Sequence, residues 1–310
     1  MWKLSAQLRD TVGEAIEQGG ADVNDDTSPM LLRRRLRTEL RTARLKNNLT
    51  QDQVAKAMEW SLSKMNRIEQ AKSSISANDL KALLPLYGIT DEGQTEELLA
   101  LARASRQTPW WRGRYSEVAS EVFLQLIDYE SAASYISQFE TAFVPGILQT
   151  EEYATAVLQV FYDENSSPER IAALVELRAK RRELLTSENA PQFSFIIDES
   201  VVHRLVGSPS VTSRQFIHLI DVAGLPNVTI QVVPFAASVY PGMTGPLKIV
   251  EFEDSPDESI VFLESPRGDF ISDAREETQS YRETFRRIRE KSLSPSDSIS
   301  LLHKSASEIA

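Results

Sequence analysis

Between residues 31 and 107, apolar residues recur three and four positions apart, which is the spacing that places them on one face of a helix. Thr50, Ser76 and Asp91 are favourable helix N-caps, and Gly88 suits the position just after a helix end. Five helices are predicted, at about 31–47, 50–58, 61–70, 76–88 and 91–105. This part of the chain is therefore predicted to be an all-α domain of five helices.

After Pro109 the pattern changes, because helical spacing alternates with short β-like runs. Helices are predicted at about 118–131, 151–162, 168–186, 210–224, 273–292 and 295–309, and strands at about 135–139, 193–198, 228–234, 247–253 and 260–264. The last three strands are joined by turns rich in Pro, Gly and Asp, which favour a meander. We expect residues 109–310 to form an α+β domain with a small, mostly antiparallel sheet.

The first 29 residues stand apart from both domains. Apolar spacing predicts a helix over residues 1–18, and the polar stretch 19–29 is typical of a flexible linker. Met30 is an alternative start, in which case the preceding residues are an upstream extension. The sequence leaves open whether this segment is native and functional.

Composition and charge narrow the class of protein. The 310 residues contain no cysteine, which excludes disulfides and thiolate metal sites, and no apolar run long enough for a membrane span. We therefore expect a cytoplasmic protein with no membrane partner. The formal net charge is −11, yet residues 31–75 contain 11 basic and four acidic residues, a net charge of +7. This asymmetry is typical of a basic DNA-binding domain joined to an acidic domain, although a solvated basic helix would give the same charge count.

Two short helices that meet at a steep angle are predicted between residues 49 and 69. The residues expected to face inward are Val54, Ala55, Met58, Met65 and Ile68. A small side chain is needed at Ala55, where the helices approach most closely. Thr50 caps the first helix, and Gln51 beside it can reach a phosphate oxygen. The second helix would then lie in a major groove and present its outer face to base edges.

The same segment resembles the helix-turn-helix of the Cro/C1-type, or Xre, transcription regulators. The run Thr50-Gln51-Asp52-Gln53-Val54-Ala55 matches the family pattern T-Q-x-x-[LV]-A, and Ile68-Glu69 matches the end of the recognition helix. The resemblance implies that Arg67 pairs with guanine and Asn66 with adenine. It also implies phosphate contacts from Lys64 and Lys72. The predicted DNA-binding residues are Thr50, Gln51, Ser61, Leu62, Ser63, Lys64, Asn66, Arg67 and Lys72.

Three residues depart from the family pattern. Glu59 stands where the turn between the two helices usually has Gly, which costs about 1 kcal/mol if the position needs a positive φ. Ala71 replaces the Gly that often follows the recognition helix. Leu62 replaces a polar residue at the first readout position, so it can contact a thymine methyl group but cannot form a hydrogen bond through its side chain. These departures affect the target sequence more than the fold.

The resemblance continues into the second half of the chain and covers about residues 31 to 309. The matching features are Trp110-Trp111, Tyr115, Phe123, Tyr129-Glu130, Glu140, the run Val144 to Thr150, Tyr153-Ala154, Asp198-Glu199, Val206-Gly207, the run Pro226 to Val232, Pro241-Gly242 and Gly245-Pro246. Such a domain accompanies Xre-type heads in antitoxin-like bacterial regulators. The resemblance implies double-stranded DNA as a partner and, often, pairing with a small protein encoded by an adjacent gene. It carries over no catalytic residue.

Other candidate sites are few. The three histidines, His203, His218 and His303, lack the spacing of metal ligands, so we expect no metal and no cofactor. Candidate effector- or partner-binding residues are Trp110, Trp111, Tyr115, Phe139, Tyr153, Arg178 and Arg181. Instead of binding an effector, the aromatic residues could pack in the core or between the domains. The arginines lie near glutamates on a predicted helix, so a solvated, ion-paired face is their alternative.

The residues and the resemblance together predict a sequence-specific DNA-binding transcription regulator. One short recognition helix reads few base pairs, so we expect a homodimer on two half-sites. The C-terminal domain would dimerise and sense a partner protein or a small ligand. The alternative is an antitoxin-like protein that mainly neutralises a small protein encoded next door, with DNA binding limited to autoregulation. We expect no enzyme, because no convergent set of acid, base and nucleophile is found. The operator, the ligand and the direction of regulation are not determined by the sequence.

Overall fold

A computed structural model of the chain describes residues 28–161, 167–253, 258–265 and 268–309. The helix predicted over residues 1–18 and the linker up to residue 27 lie outside the described residues. The N-terminal region is helical, with α1 (Pro29–Lys46), α2 (Gln51–Ala57), α3 (Leu62–Glu69), α4 (Ala77–Leu86) and α5 (Glu92–Ala104).

Local sequence explains where these five helices begin. A side-chain oxygen accepts a hydrogen bond from the first turn of each helix, and the residues that supply it are Ser28, Thr50, Ser61, Ser76 and Asp91. Such caps satisfy backbone N–H groups that have no partner inside the helix. The helices enclose one apolar core, which includes Leu40, Val54, Met65, Leu80, Leu84 and Leu99.

The C-terminal region alternates helices and strands. Its helices are α6 (Trp110–Arg114), α7 (Glu121–Glu130), α8 (Glu151–Phe161), α9 (Pro168–Arg182), α10 (Glu199–His203), α11 (Pro209–Val222), α12 (Arg275–Lys291) and α13 (Pro295–Ile309). Its strands are β1 (Tyr135–Glu140), β2 (Gln192–Asp198), β3 (Val228–Val233), β4 (Leu247–Glu251), β5 (Ile260–Leu263) and β6 (Phe270–Ser272). The short helices α6 and α10 were not predicted, so the helix count differs from the expected one.

The six strands form one mixed sheet in the order β3-β2-β1-β4-β5-β6. The pairs β1–β2 and β2–β3 are parallel, and the pairs β1–β4, β4–β5 and β5–β6 are antiparallel. The prediction of a small, mostly antiparallel sheet is therefore wrong. Helices lie between β1 and β2 and between β2 and β3, and such crossovers allow neighbouring strands to run parallel. Of the expected meander only the β4–β5 pair exists, because β3 lies at the opposite edge of the sheet.

Both faces of the sheet are covered. Alternate residues of a strand point to opposite faces, so Phe195 and Ile197 of β2 lie in one apolar cluster and Ile196 in another. The first cluster includes Phe216 of α11 and residues of α7, α8 and α13, whereas the second includes Phe285 of α12. The sheet is thus the middle of three layers.

Helix α1 links the two regions. Met30 and Leu31 pack against the apolar cluster on the α11 side of the sheet, and the Ser28 and Ser131 hydroxyls are 2.6 Å apart. The Arg34 guanidinium lies 3.6 Å from the ring centre of Phe252. The first half of α1 therefore packs on the C-terminal region, while its second half belongs to the core of the N-terminal helices.

Candidate nucleic-acid interface

The helix-turn-helix consists of α2, a short turn and α3. Thr50 Oγ1 accepts a hydrogen bond from the Gln53 backbone N at 3.2 Å, and Gln53 Oε1 accepts one from the Thr50 backbone N at 2.8 Å. This reciprocal arrangement is a capping box. Ser61 Oγ accepts from the Lys64 backbone N at 3.1 Å and so begins α3. Met58 is half-buried, and the other residues expected to face inward are buried: Val54, Ala55, Met65 and Ile68.

The backbone is left-handed at both positions where the family pattern has Gly. The φ angle is 55° at Glu59, in the turn between α2 and α3, and 55° at Ala71, just after α3. A side chain in this region costs about 1 kcal/mol relative to Gly. The two turns therefore keep the left-handed geometry without glycine, and the domain is less stable than it would be with glycine at these positions.

A buried ion pair braces α3 against α1. Arg44 Nε donates to Glu69 Oε1 at 2.6 Å, and Arg44 Nη2 donates to Glu69 Oε2 at 3.0 Å. A third donor of the same guanidinium, Nη1, bonds the Leu49 carbonyl at 2.6 Å. Gln51 Nε2 also donates to Glu69 Oε2, at 2.6 Å. One carboxylate therefore fixes α1, the start of α2 and the end of α3, and it holds the Gln51 side chain that was predicted to contact the DNA backbone.

The outer face of α3 carries the predicted readout residues. Ser61, Leu62, Ser63 and Arg67 are exposed, and Asn66 is half-buried. None of these five side chains points into the apolar core, which receives the opposite face of α3. This region can therefore present an amide, a guanidinium and hydroxyl groups to an external surface.

The two predicted phosphate-binding lysines both have acidic partners. Lys64 Nζ donates to Asp79 Oδ2 at 3.1 Å and lies 4.2 Å from the centre of the Trp60 ring. Lys72 forms an ion pair with Asp273, a residue of the C-terminal region. Sequence reasoning missed Asp273, since nothing in the spacing relates it to a lysine two hundred positions earlier.

Part of the basic charge counted in the sequence is buried. Arg34 and Arg37 are buried against the C-terminal region, where both make ion pairs with Glu258. Arg44 is buried with Glu69. The basic residues of this segment that stay exposed are Arg35, Arg41, Lys46, Lys56, Arg67 and Lys72. Three of the 11 basic residues of residues 31–75 thus serve internal contacts, and six stay exposed.

A cleft of about 590 Å³ opens beside the start of α2. It is lined by Arg41, Arg44, Leu45, Asn48, Leu49, Thr50, Gln51, Glu69, Gln70 and Glu258. Among the described residues of the C-terminal region, Glu258 alone lines this cleft, and sequence reasoning did not identify it. The N-terminal edge of the helix-turn-helix and a C-terminal acidic residue therefore share one open surface.

The predicted aromatic effector site is spread over three separate clusters. Trp111 and Tyr115 are buried with residues of α7 and α9, Phe139 is buried on the α12 side of the sheet, and Tyr153 is buried on the α11 side. Trp110 is half exposed, with Lys180 Nζ 4.8 Å from its ring centre. The structure therefore does not bring these side chains together around one space.

The predicted arginines of α9 are also partly internal. Arg181 is buried, and its Nε and Nη2 donate to the Glu130 carboxylate at 3.0 and 2.8 Å. Lys248 Nζ donates to the same carboxylate at 2.5 Å. Burial opposes the charged form, but these two cations outweigh it and hold the pKa of Glu130 below its usual value. Arg178 is half-buried beside Gly146.

A carboxyl with a raised pKa, that of Glu140, lies at the end of β1. Gln138 Nε2 donates to Glu140 Oε1 at 2.6 Å. Burial, and then the charge of Glu264, raise the pKa of Glu140 to about 8. A gap of about 10 Å³, room for one water molecule, is lined by these residues and by Lys248. An isolated glutamate in a strand gives no sequence signal for such a shift.

Among the described residues, no group of three or more His, Cys, Asp or Glu side chains is placed to hold a metal ion. In the same parts of the chain, no helix has both the length and the apolar character needed to cross a bilayer.

Comparison with known families gives two matches. Residues 123–304, more than half of the chain, match a family described as a domain of unknown function (DUF5753). Residues 35–98 match a helix-turn-helix domain, and this range contains α2 and α3 in full. The second match supports DNA binding. No curated protein and no solved structure matches the chain.

Proposed function

Because the chain belongs to the DUF5753 family and carries a helix-turn-helix domain, we propose that it is a sequence-specific DNA-binding transcription regulator of the Xre type. Residues 31–107 bind DNA in this proposal, and residues 109–310 regulate that binding. The proposal involves no catalytic step. The observation that carries it is the outward face of α3, with Ser63, Asn66 and Arg67 on a helix whose other face is packed in the core.

In the proposed complex, α3 lies in the major groove. Arg67 donates to the O6 and N7 atoms of guanine, and Asn66 pairs with adenine. Leu62 contacts a thymine methyl group. Thr50 and Gln51 at the start of α2, with Lys64 and Lys72, contact the phosphate backbone and set the position of α3 on the duplex.

The proposal includes a homodimer. Helix α3 has eight residues and reads only a few base pairs, so one copy provides little specificity. Two copies on half-sites about one helical turn apart supply the missing affinity. Dimerisation through the C-terminal domain would let a ligand or partner alter the half-site spacing. Sedimentation of the full chain, alone and with DNA, measures whether it is a dimer and whether two copies bind one duplex.

Selection from a random-sequence duplex library, followed by titration of the selected sites, tests DNA recognition. Arg67→Ala should weaken binding to the selected site by about 1–3 kcal/mol and relax the preference at one position. Arg286→Ala is the matched control, because it removes one exposed arginine from α12. Enrichment of no sequence would contradict the proposal. Unchanged base preference in Arg67→Ala would remove Arg67 from the readout residues.

One observation favours the antitoxin-like function as a second candidate. Three apolar side chains lie exposed within nine residues of the C-terminal region: Phe235, Val239 and Met243. Exposed apolar patches mark protein interfaces. In this alternative these three side chains bind a small protein encoded by the adjacent gene, and DNA binding only regulates the operon. Gel filtration of the two co-expressed proteins tests it: Phe235→Ser with Met243→Ser should abolish a stoichiometric complex, and no complex with the unaltered chain would refute it.

A further inference from the structure

Two acidic residues of the C-terminal region contact basic residues at the two ends of the proposed DNA interface. Glu258 makes ion pairs with Arg37 and with Arg41, whose Nη1 is 3.8 Å from Glu258 Oε1. Asp273 makes an ion pair with Lys72, just beyond the end of α3. Both contacts join parts of the chain that are about two hundred residues apart.

The contact at Glu258 lies on the surface where the phosphate contacts are proposed. Glu258, Arg41, Thr50 and Gln51 line the same open cleft beside the start of α2. A phosphate group approaching Thr50 and Gln51 would therefore enter a cleft in which the carboxylate of Glu258 already neutralises part of the nearby arginine charge. The guanidinium of Arg41, which would otherwise attract the phosphate, is already beside that carboxylate.

Burial separates the anchoring contacts from the exchangeable ones. The side chains of Arg34 and Arg37 are 5% and 1% exposed, so they stay in the contact between the two regions. The side chains of Arg41 and Lys72 are 49% and 43% exposed and can reach an external anion. The ion pairs of these last two residues are therefore the ones that DNA can displace.

We propose that Glu258 and Asp273 compete with DNA phosphates for Arg41 and Lys72, so that the C-terminal region holds the helix-turn-helix in a state of reduced DNA affinity. This inference rests on the proposed function and concerns regulation of the same interface. A signal that draws Glu258 or Asp273 away from Arg41 or Lys72 raises DNA affinity. A partly exposed ion pair is weak, so each acidic residue should reduce the affinity by about 2- to 5-fold.

The test measures binding of the full chain to a random-sequence duplex, because phosphate contacts do not depend on base sequence. Asp273→Asn and Glu258→Gln should each tighten binding by about 2- to 5-fold, and the double variant by about 10-fold. Glu283→Gln is the matched control, since it removes one exposed acidic charge from α12. Its effect measures the influence of net charge alone. Variants that tighten binding no more than this control would overturn the inference.

A double-mutant cycle separates competition from a general change in structure. In a Lys72→Ala background the cation for which Asp273 competes is absent, so Asp273→Asn should then change affinity no more than the control does. An equal gain with and without Lys72 would refute the competition. Glu258→Gln leaves the buried Arg34 and Arg37 with less charge compensation, so circular dichroism must first show that this variant is folded. If it is unfolded, the Asp273 cycle alone tests the competition, because the pair of Asp273 with Lys72 is exposed. Absence of binding by the unaltered chain and by every variant would instead refute the proposed function.

Discussion

Glu69→Gln is an isosteric change that removes the charge from the brace between α1 and α3. Glu69 accepts hydrogen bonds from three donors, Arg44 Nε, Arg44 Nη2 and Gln51 Nε2. A glutamine amide has one oxygen and one NH₂ group, so its NH₂ must face at least one of these donors. The Arg44 guanidinium would then be buried without a compensating charge.

The expected loss follows from this geometry. Removing one partner of a buried, hydrogen-bonded ion pair costs about 3–5 kcal/mol, because the remaining charge has lost both water and its partner. A loss of this size is a large fraction of the total stability of a domain. We therefore expect the helix-turn-helix to unfold at markedly lower urea concentration, and the outer face of α3, which reads bases in the proposed complex, to lose its fixed orientation.

Urea denaturation measures this loss of stability. Hydrogen exchange at the amides of α3 shows whether the loss occurs in the helix-turn-helix. Glu59→Gln is the matched control, since it removes an exposed glutamate from the same helix-turn-helix and should change stability by less than about 0.5 kcal/mol. Replacing both partners, Arg44→Met with Glu69→Leu, should recover most of the stability. A Glu69→Gln loss within about 1 kcal/mol of the control would refute the argument that this pair is an essential brace.

Three further substitutions test other parts of the structure. Glu59→Gly should raise the free energy of unfolding by up to about 1 kcal/mol, because φ is 55° there; an unchanged urea midpoint would contradict the strain. Gly242→Ala should lower the thermal midpoint and reduce the free energy of unfolding by about 1–3 kcal/mol, because the added Cβ would lie 2.7 Å from side-chain atoms of Phe139 and of Ile288. An unchanged midpoint would show that these side chains can move aside. The raised pKa of Glu140 means that the folded state binds its proton more tightly than the unfolded chain does. The free energy of unfolding should therefore fall as pH rises from about 4.5 to about 8. Urea titrations at several pH values measure this dependence, and the part due to Glu140 should be absent in Glu140→Gln.

Sequence reasoning located the elements of the DNA-binding region closely. The predicted ends of α1 to α5 lie within two residues of those in the structure. Caps such as Thr50 and Ser76 act within one turn of the residues that they bind, so a short window of sequence contains both partners. The left-handed backbone at Glu59 was anticipated only through the resemblance, which places Gly in that turn, and Ala71 is left-handed at the other position where the family pattern has Gly.

The distribution of charge was harder to predict. The sequence indicates a basic N-terminal region, but a count of charges does not show which arginines face solvent. Arg34 and Arg37 are buried against the C-terminal region because α1 is long enough to belong to both halves. The exposed basic surface of the helix-turn-helix is therefore smaller than the composition suggests.

The sequence by itself determined the five N-terminal helices, their caps and the outward face of α3, because each depends on residues within a few turns of one another. Only the tertiary structure decided the order of the strands, the separation of Phe139 from Tyr153, and the contacts of Glu258 and Asp273 with the basic residues. These features depend on where the chain returns after long crossovers. Apolar periodicity records which face of an element is buried, but it does not record which distant element covers that face.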